Sequence, residues 1–168
     1  MIEVVIPTYK RPAFAIRAIW SVLELGSSEI SVFCHSNDYE SSIHKAFADD
    51  KRVRYEWFET DRGAQSNFKV LIEKSSASYV LLLSDEDTMK AGQGDVLLTL
   101  VRQNVFSCAS VGVSASPECS NDNYARTHRG SYGFTAVLNL FMLEPSYISG
   151  LIFDRRCIEK IDMDIAFE

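Results

Sequence analysis

The chain has 168 residues, is 46% hydrophobic and carries a formal charge of −6; a chain of this size buries about two-thirds of its unfolded surface, so one domain over residues 1–168 is expected. Its lysines and arginines are spread rather than clustered, which offers no electrostatic track for a nucleic-acid backbone. The 4 cysteines form no C-x-x-C pair and have no histidine at zinc-finger spacing, so reduced thiols in a cytoplasmic protein are the simplest reading.

The chain opens on an apolar run at residues 2–6 with no basic, apolar leader before it, and this run is expected to be the first strand. It leads into Pro7-Thr8-Tyr9-Lys10-Arg11-Pro12, a turn offering backbone amides, a hydroxyl, an aromatic ring and two cations. A nucleotide base or a diphosphate could sit there, although Lys10 and Arg11 read equally well as exposed charges at a helix start. Pro12 needs no N–H partner in a first turn and opens a helix over 12–25, with Phe14, Ile16, Ala18, Ile19, Val22 and Leu23 on one stripe and Gly26 as its stop. A strand at 30–34 follows, running into Cys34-His35-Ser36-Asn37-Asp38. Next come a helix at 41–49, a strand at 53–58 and a helix at 66–75.

The strand expected at 79–83 runs directly into Asp85-Glu86-Asp87. Three adjacent carboxylates repel one another unless something neutralises them. A divalent cation completed by phosphate oxygens and water would do so; a solvated turn capping the next helix is the alternative. Placement at the end of an apolar strand favours the cation. Beyond it, a helix is expected at 94–103, a strand at 106–113, a helix at 132–143 and a strand at 147–153. The polar, aperiodic stretch 114–131 reads as a long loop of the kind that forms active-site lids, with Arg126, His128 and Arg129 as a cationic cluster.

Alternating strands and helices argue for an α/β fold with a mostly parallel sheet and helices on both faces. Such sheets bind ligands beyond the carboxyl ends of their strands, which directs attention to the loops at 7–11, 35–40, 60–67 and 84–88. No stretch reaches the ~20 apolar residues of a membrane span. No G-x-S-x-G elbow, P-loop or G-x-G-x-x-G is present, which argues against hydrolases, NTPases and dinucleotide oxidoreductases.

The segments occur in a telling order: Val4-Val5-Ile6-Pro7-Thr8-Tyr9-Lys10-Arg11-Pro12, then Gly63-Ala64-Gln65-Ser66-Asn67-Phe68, then Tyr79-Val80 leading to Asp85-Glu86-Asp87, then Tyr147-Ile148-Ser149-Gly150 with Phe153 and Arg155. In this order and over nearly the whole chain they resemble the inverting family 2 glycosyltransferases of the GT-A, Rossmann-like fold, including O-antigen and abequosyltransferase-like members. The resemblance implies a nucleoside-diphosphate sugar donor, UDP-, GDP-, CDP- or dTDP-linked. It also implies a glycan or lipid-linked acceptor, a Mn2+ or Mg2+ ion, and a cytoplasmic enzyme of polysaccharide synthesis that can touch the inner face of the membrane.

By position, Pro7, Thr8 and Tyr9 would line the base pocket and Arg11 would lie near the diphosphate. Asp85 and Asp87 would frame the metal, with Asp87 the more direct ligand and Asp85 also a donor contact. Asn67 would contact the sugar or phosphate, or else be a buried amide tying two loops together. Where the family ends its second strand in an acidic pair, this chain has His35 and, three residues later, Asp38; either Asp38 would take the acid's place at the nucleotide, or the pocket would read a different base. The base that deprotonates the acceptor would be Asp162, Asp164 or Glu168, or would lie on C-terminal elements absent from this chain. In that last case the chain would be a nucleotide-sugar-binding module without catalysis.

Overall fold

The computed structural model describes residues 1–103, 108–111, 125–127 and 149–160. Its central strand, β1 (Ile2–Thr8), is flanked by β2 (Ile30–Ser36) on one side and β4 (Tyr79–Leu82) on the other; β3 (Val53–Trp57) lies outside β2. These four strands are mutually parallel. Beyond β4 the sheet continues through β7 (Leu151–Asp154), β5 (Cys108–Val111) and β6 (Ala125–Thr127), giving the order β3-β2-β1-β4-β7-β5-β6. β7 runs antiparallel to both β4 and β5, and β6 runs antiparallel to β5. β5 therefore points the same way as β1 to β4, and the sheet is parallel apart from β6 and β7.

The period-2 alternation of each strand sends side chains to two cores. Ile2, Val4 and Ile6 of β1 join Val32, Cys34 and Leu81 beneath α1 (Pro12–Leu23), α2 (Ser41–Phe47) and α4 (Gly94–Gln103). Val5 joins Phe33, Val80 and Leu82 on the opposite face, under Leu71 of α3 (Gly63–Lys74) and Ile158 of a short α5 (Arg155–Ile158). The expectation of helices on both faces holds. Burial on both sides also explains why β1 and β4 read as continuous apolar runs. Among the described residues no helix is long and apolar enough to cross a membrane.

Several elements differ from the sequence expectation. α3 starts at Gly63 rather than at 66; Gly63, at a φ of 78°, turns the chain into the helix, and its N–H donates to the Asp61 carboxylate at 2.8 Å. Residues 125–127, expected within a loop, form β6 and pair with β5. A helical turn, α5, follows β7 because the Asp154 carboxylate caps the Arg156 N–H at 2.9 Å. The helix expected at 132–143 and the remainder of the proposed lid lie outside the described residues.

Candidate functional site

β1 is the strand at which the sheet reverses direction: the chain builds outward through β2 and β3, then returns to place β4 on the other side of β1. In open α/β sheets the crevice beyond the carboxyl ends at such a reversal is where ligands bind. Here those ends carry Thr8 and the loop to Arg11, Ser36 to Asp38, and Ser84 to Asp87. Lys10 turns the chain from β1 into α1 at a φ of 55°, the one non-glycine in the left-handed region among the described residues. Backbone held in such a conformation concentrates at functional loops.

The acid loop meets the β1 loop directly. Asp85 is 1% exposed, and its Oδ2 accepts a 2.7 Å hydrogen bond from the Thr8 hydroxyl. Arg11 Nη2 lies 2.9 Å from Asp85 Oδ1, a charge contact that lacks hydrogen-bond alignment. Burial pushes the Asp85 carboxyl above the ordinary carboxylate range, while the Thr8 hydrogen bond and the Arg11 charge pull the other way. Arg11 also pairs with the exposed carboxylate of Glu86, and Arg17 donates to the Glu86 carbonyl at 2.6 Å. The repulsion expected among the three acids is therefore relieved in part by Arg11, which reaches two of them.

Asp87 is placed differently. It is half-buried, and its Oδ2 accepts a hydrogen bond from the Ser149 hydroxyl. That same hydroxyl oxygen accepts the Ser84 N–H at 2.8 Å. Among the described residues no three His, Cys, Asp or Glu side chains form a metal cage. A Mg2+-like ion, however, is commonly held by one or two carboxylates, with phosphate and water oxygens completing the shell. Asp87, accessible and anchored through one oxygen, fits that pattern. Asp85 would enter the shell only by giving up Arg11.

The β2 side of the crevice is braced by buried amides. Asn67 on α3, 2% exposed, donates at 3.2 Å to the Thr8 carbonyl and presents Oδ1 to His35 Nδ1 at 2.7 Å. Of the two roles expected for Asn67, this geometry is that of the amide tying loops together. His35, 1% exposed, packs edge-on against Phe58, and burial holds its imidazole below the ordinary histidine range. Asn37 donates to the Gly63 carbonyl at 3.1 Å, and its own N–H reaches the Thr8 carbonyl at 3.2 Å. The residue at this strand end that faces solvent is Asp38. Its loop is held by Tyr55, whose hydroxyl accepts the Glu40 N–H at 2.8 Å and whose ionisation is pushed up to about 12 by burial.

Of the residues expected at the site, Thr8, Arg11, Asn67 and Asp85 meet through the contacts above, whereas Asp87 is held by Ser149 and Ser84. Pro7 and Tyr9 flank Thr8, each half-buried, with the Lys10 ammonium 4.8 Å from the Tyr9 ring centroid. Asp162, Asp164 and Glu168, together with His128 and Arg129, lie outside the described residues; so does the side chain of Arg126. Sequence reasoning missed the bracing done by Asn37 and Ser149. Their signal was present as polar residues at the edges of apolar strands, but nothing local tells a buried brace from a surface polar residue.

Comparison with known proteins bears on the family and the fold. The sequence profile described as glycosyl transferase family 2 matches residues 3–160. Among solved structures, S. aureus TarS 1-349 in complex with UDP-GlcNAc superposes with a TM-score of 0.67 at 12% identity, covering 92% of this chain and 45% of that one. TarS 1-349 in complex with UDP gives 0.65 at 16% identity, covering 99% and 53%. The mannosyltransferase PcManGT from Pyrobaculum calidifontis, in complex with GDP-Man and Mn2+, gives 0.57 at 11% identity, covering 66% and 35%. At these identities the likeness is one of fold, and the GT-A arrangement expected from the sequence is the one observed. The chain spans about half the length of the TarS 1-349 structures or less than that of the mannosyltransferase. No curated protein matches it significantly.

Proposed function

The chain belongs to glycosyl transferase family 2, and on that premise we propose that the crevice at β1, β2 and β4 binds a nucleoside-diphosphate sugar whose sugar is transferred, with inversion, to a hydroxyl. The observation that carries this reading is the Thr8–Asp85 hydrogen bond with Arg11 beside it, which joins the first loop to the acid loop at the point where the sheet reverses. Pro7, Thr8 and Tyr9 line the base, Asp38 meets the nucleoside from β2, and Arg11 exchanges its carboxylate partners for the diphosphate. Asp85 contacts the donor from the floor of the site. Asn67 holds the Thr8 carbonyl and so keeps the first loop in shape.

A divalent cation, Mn2+ or Mg2+, would be held by Asp87, with Asp85 flanking it. When bound it would offset charge that develops on the departing diphosphate. Removal of the acceptor's proton falls to a carboxylate within hydrogen-bond reach of the attacking hydroxyl; Asp162, Asp164 and Glu168 are the candidates. UDP-, GDP-, CDP- and dTDP-linked donors all suit a crevice of this kind, and the relatives in complex with UDP, UDP-GlcNAc and GDP-Man support the class. We assign the acceptor to glycans or lipid-linked oligosaccharides made on the cytoplasmic side of a membrane, in polysaccharide synthesis.

The test is a calorimetric titration of UDP, GDP, CDP and dTDP into the chain, with Mn2+ and with chelator. Binding that tightens with Mn2+, and loses that tightening in Asp87→Ala, is expected. Failure of every nucleotide to bind would overturn the donor site, and an Asp87→Ala chain that keeps the Mn2+ effect would overturn the ion's placement. Turnover by the wild-type chain with a bound donor, lost on replacement of one of the three candidate bases, separates an enzyme from a module that only binds.

A further inference from the structure

Ser149 is 4% exposed and spends its hydroxyl entirely on the acid loop. Its oxygen accepts the Ser84 N–H at 2.8 Å, and its proton goes to Asp87 Oδ2. A serine hydroxyl has one proton to donate. With a backbone N–H already supplied to the oxygen, that proton is directed at the carboxylate. The hydroxyl is itself held from β7: Gly150, at a φ of 86°, donates to the Leu82 carbonyl at 2.8 Å, and Ile152 pairs with Leu81 across the antiparallel ladder. The two groups that Ser149 holds lie 65 and 62 positions earlier in the chain, so no local turn chemistry produces this arrangement.

The consequence concerns how Asp87 presents itself. With Oδ2 anchored, the carboxylate's rotamer is set, and Oδ1 is the oxygen without a hydrogen bond among the described residues. We propose that Ser149 is a positioning residue for the divalent cation: it orients Asp87 so that one carboxylate oxygen is offered to the ion while the other stays tied to the turn before β7. The proposal rests on Asp87 being the ion's ligand. Partners that orient a ligating side chain in this way typically contribute roughly 10- to 100-fold to metal affinity.

Mn2+ affinity is read by electron paramagnetic resonance on the full chain saturated with UDP, and UDP affinity is read separately in chelator. Ser149→Ala is expected to weaken Mn2+ binding by about 10-fold or more while leaving chelator-phase UDP affinity within about twofold. Ser149→Thr, which keeps a hydroxyl, restores Mn2+ binding; Ser149→Val, of the same bulk without the hydroxyl, does not. This Thr/Val pair decides the matter if Ser149→Ala fails to fold. In the Asp87→Ala background, Ser149→Ala should add no further loss, as expected of two residues acting through one contact. Wild-type Mn2+ affinity in Ser149→Ala, equal affinities in the Thr and Val variants, or an equal loss of UDP binding in chelator would overturn the proposal and leave the donor site standing. A wild-type chain whose UDP binding ignores Mn2+, or an Asp87→Ala chain that retains it, would overturn the ion's placement and this proposal with it.

Discussion

The Thr8 hydroxyl donates a 2.7 Å hydrogen bond to Asp85 Oδ2 across 77 positions of sequence, joining the end of the first strand to the loop after the fourth. Asp85 is 1% exposed, so this bond and the Arg11 guanidinium hold a buried charge at the floor of the crevice. Such a group is costly to leave with fewer partners.

Replacing Thr8 by valine keeps the shape of the side chain and removes the donor. The buried Asp85 oxygen then lacks its partner, and a loss of about 1–3 kcal/mol in folding stability is expected. Thr8→Ser should recover most of it. Urea denaturation of the three chains checks this, and equal midpoints for wild type and Thr8→Val would show that the bond carries no net stability. Nucleotide affinity should fall in Thr8→Val as well, because the two loops are no longer tied.

A second expectation concerns acid. The Asn67 oxygen facing His35 can only accept, so the imidazole proton sits on Nδ1. Burial lowers the His35 pKa from 6.5, and the Asn67 hydrogen bond opposes that shift. The neutral ring is thus the form the native state favours. Its contribution to stability is present above the unfolded value of 6.5 and is lost as pH falls through the lower folded value. Nuclear magnetic resonance titration of His35 should give a midpoint below 6.5, with a parallel drop in denaturation midpoint. Asn67→Asp sets a carboxylate against Nδ1 and should raise that midpoint. A wild-type His35 that titrates at or above 6.5 would contradict the buried, neutral assignment.

Gly94 offers a contest between two effects of opposite sign. Alanine is preferred over glycine inside a helix by about 1 kcal/mol, and Gly94 begins α4. A Cβ at that position, however, would stand 2.5 Å from the Leu25 carbonyl oxygen, which is backbone and cannot swing away. Overpacking of this kind costs about 1–3 kcal/mol, so Gly94→Ala is expected to lower the melting temperature. Because the strain falls away from the crevice, nucleotide affinity measured below the transition should stay within about twofold.

Most of the strands and helices were legible because their signals are local. Pro12 opens α1 as its missing N–H predicts, and the apolar runs at 2–6, 30–34, 53–58 and 79–83 each contain or overlap an observed strand. β1 and β2 run two residues further than their apolar cores, because Pro7 and Thr8 pair in register with His35 and Ser36. That extension depends on a neighbouring strand, which local pattern does not encode. β6 escaped for the same reason: Ala125, Arg126 and Thr127 have little strand character of their own and pair against β5.

The candidate site divides along the same line. Sequence by itself determined where the strand ends and their loops lie, since apolar runs ending in Pro-Thr-Tyr and in Asp-Glu-Asp identify them from residues a few positions apart. Only the tertiary structure decided what each side chain is available to do. It buried Asp85 against Thr8 and Arg11, turned Asn67 inward to brace Thr8 and His35, and left Asp87 half-exposed with one oxygen held by Ser149. Whether a carboxylate is free to meet an ion is set by desolvation and by the donors around it, and here those donors come from segments far away in the chain.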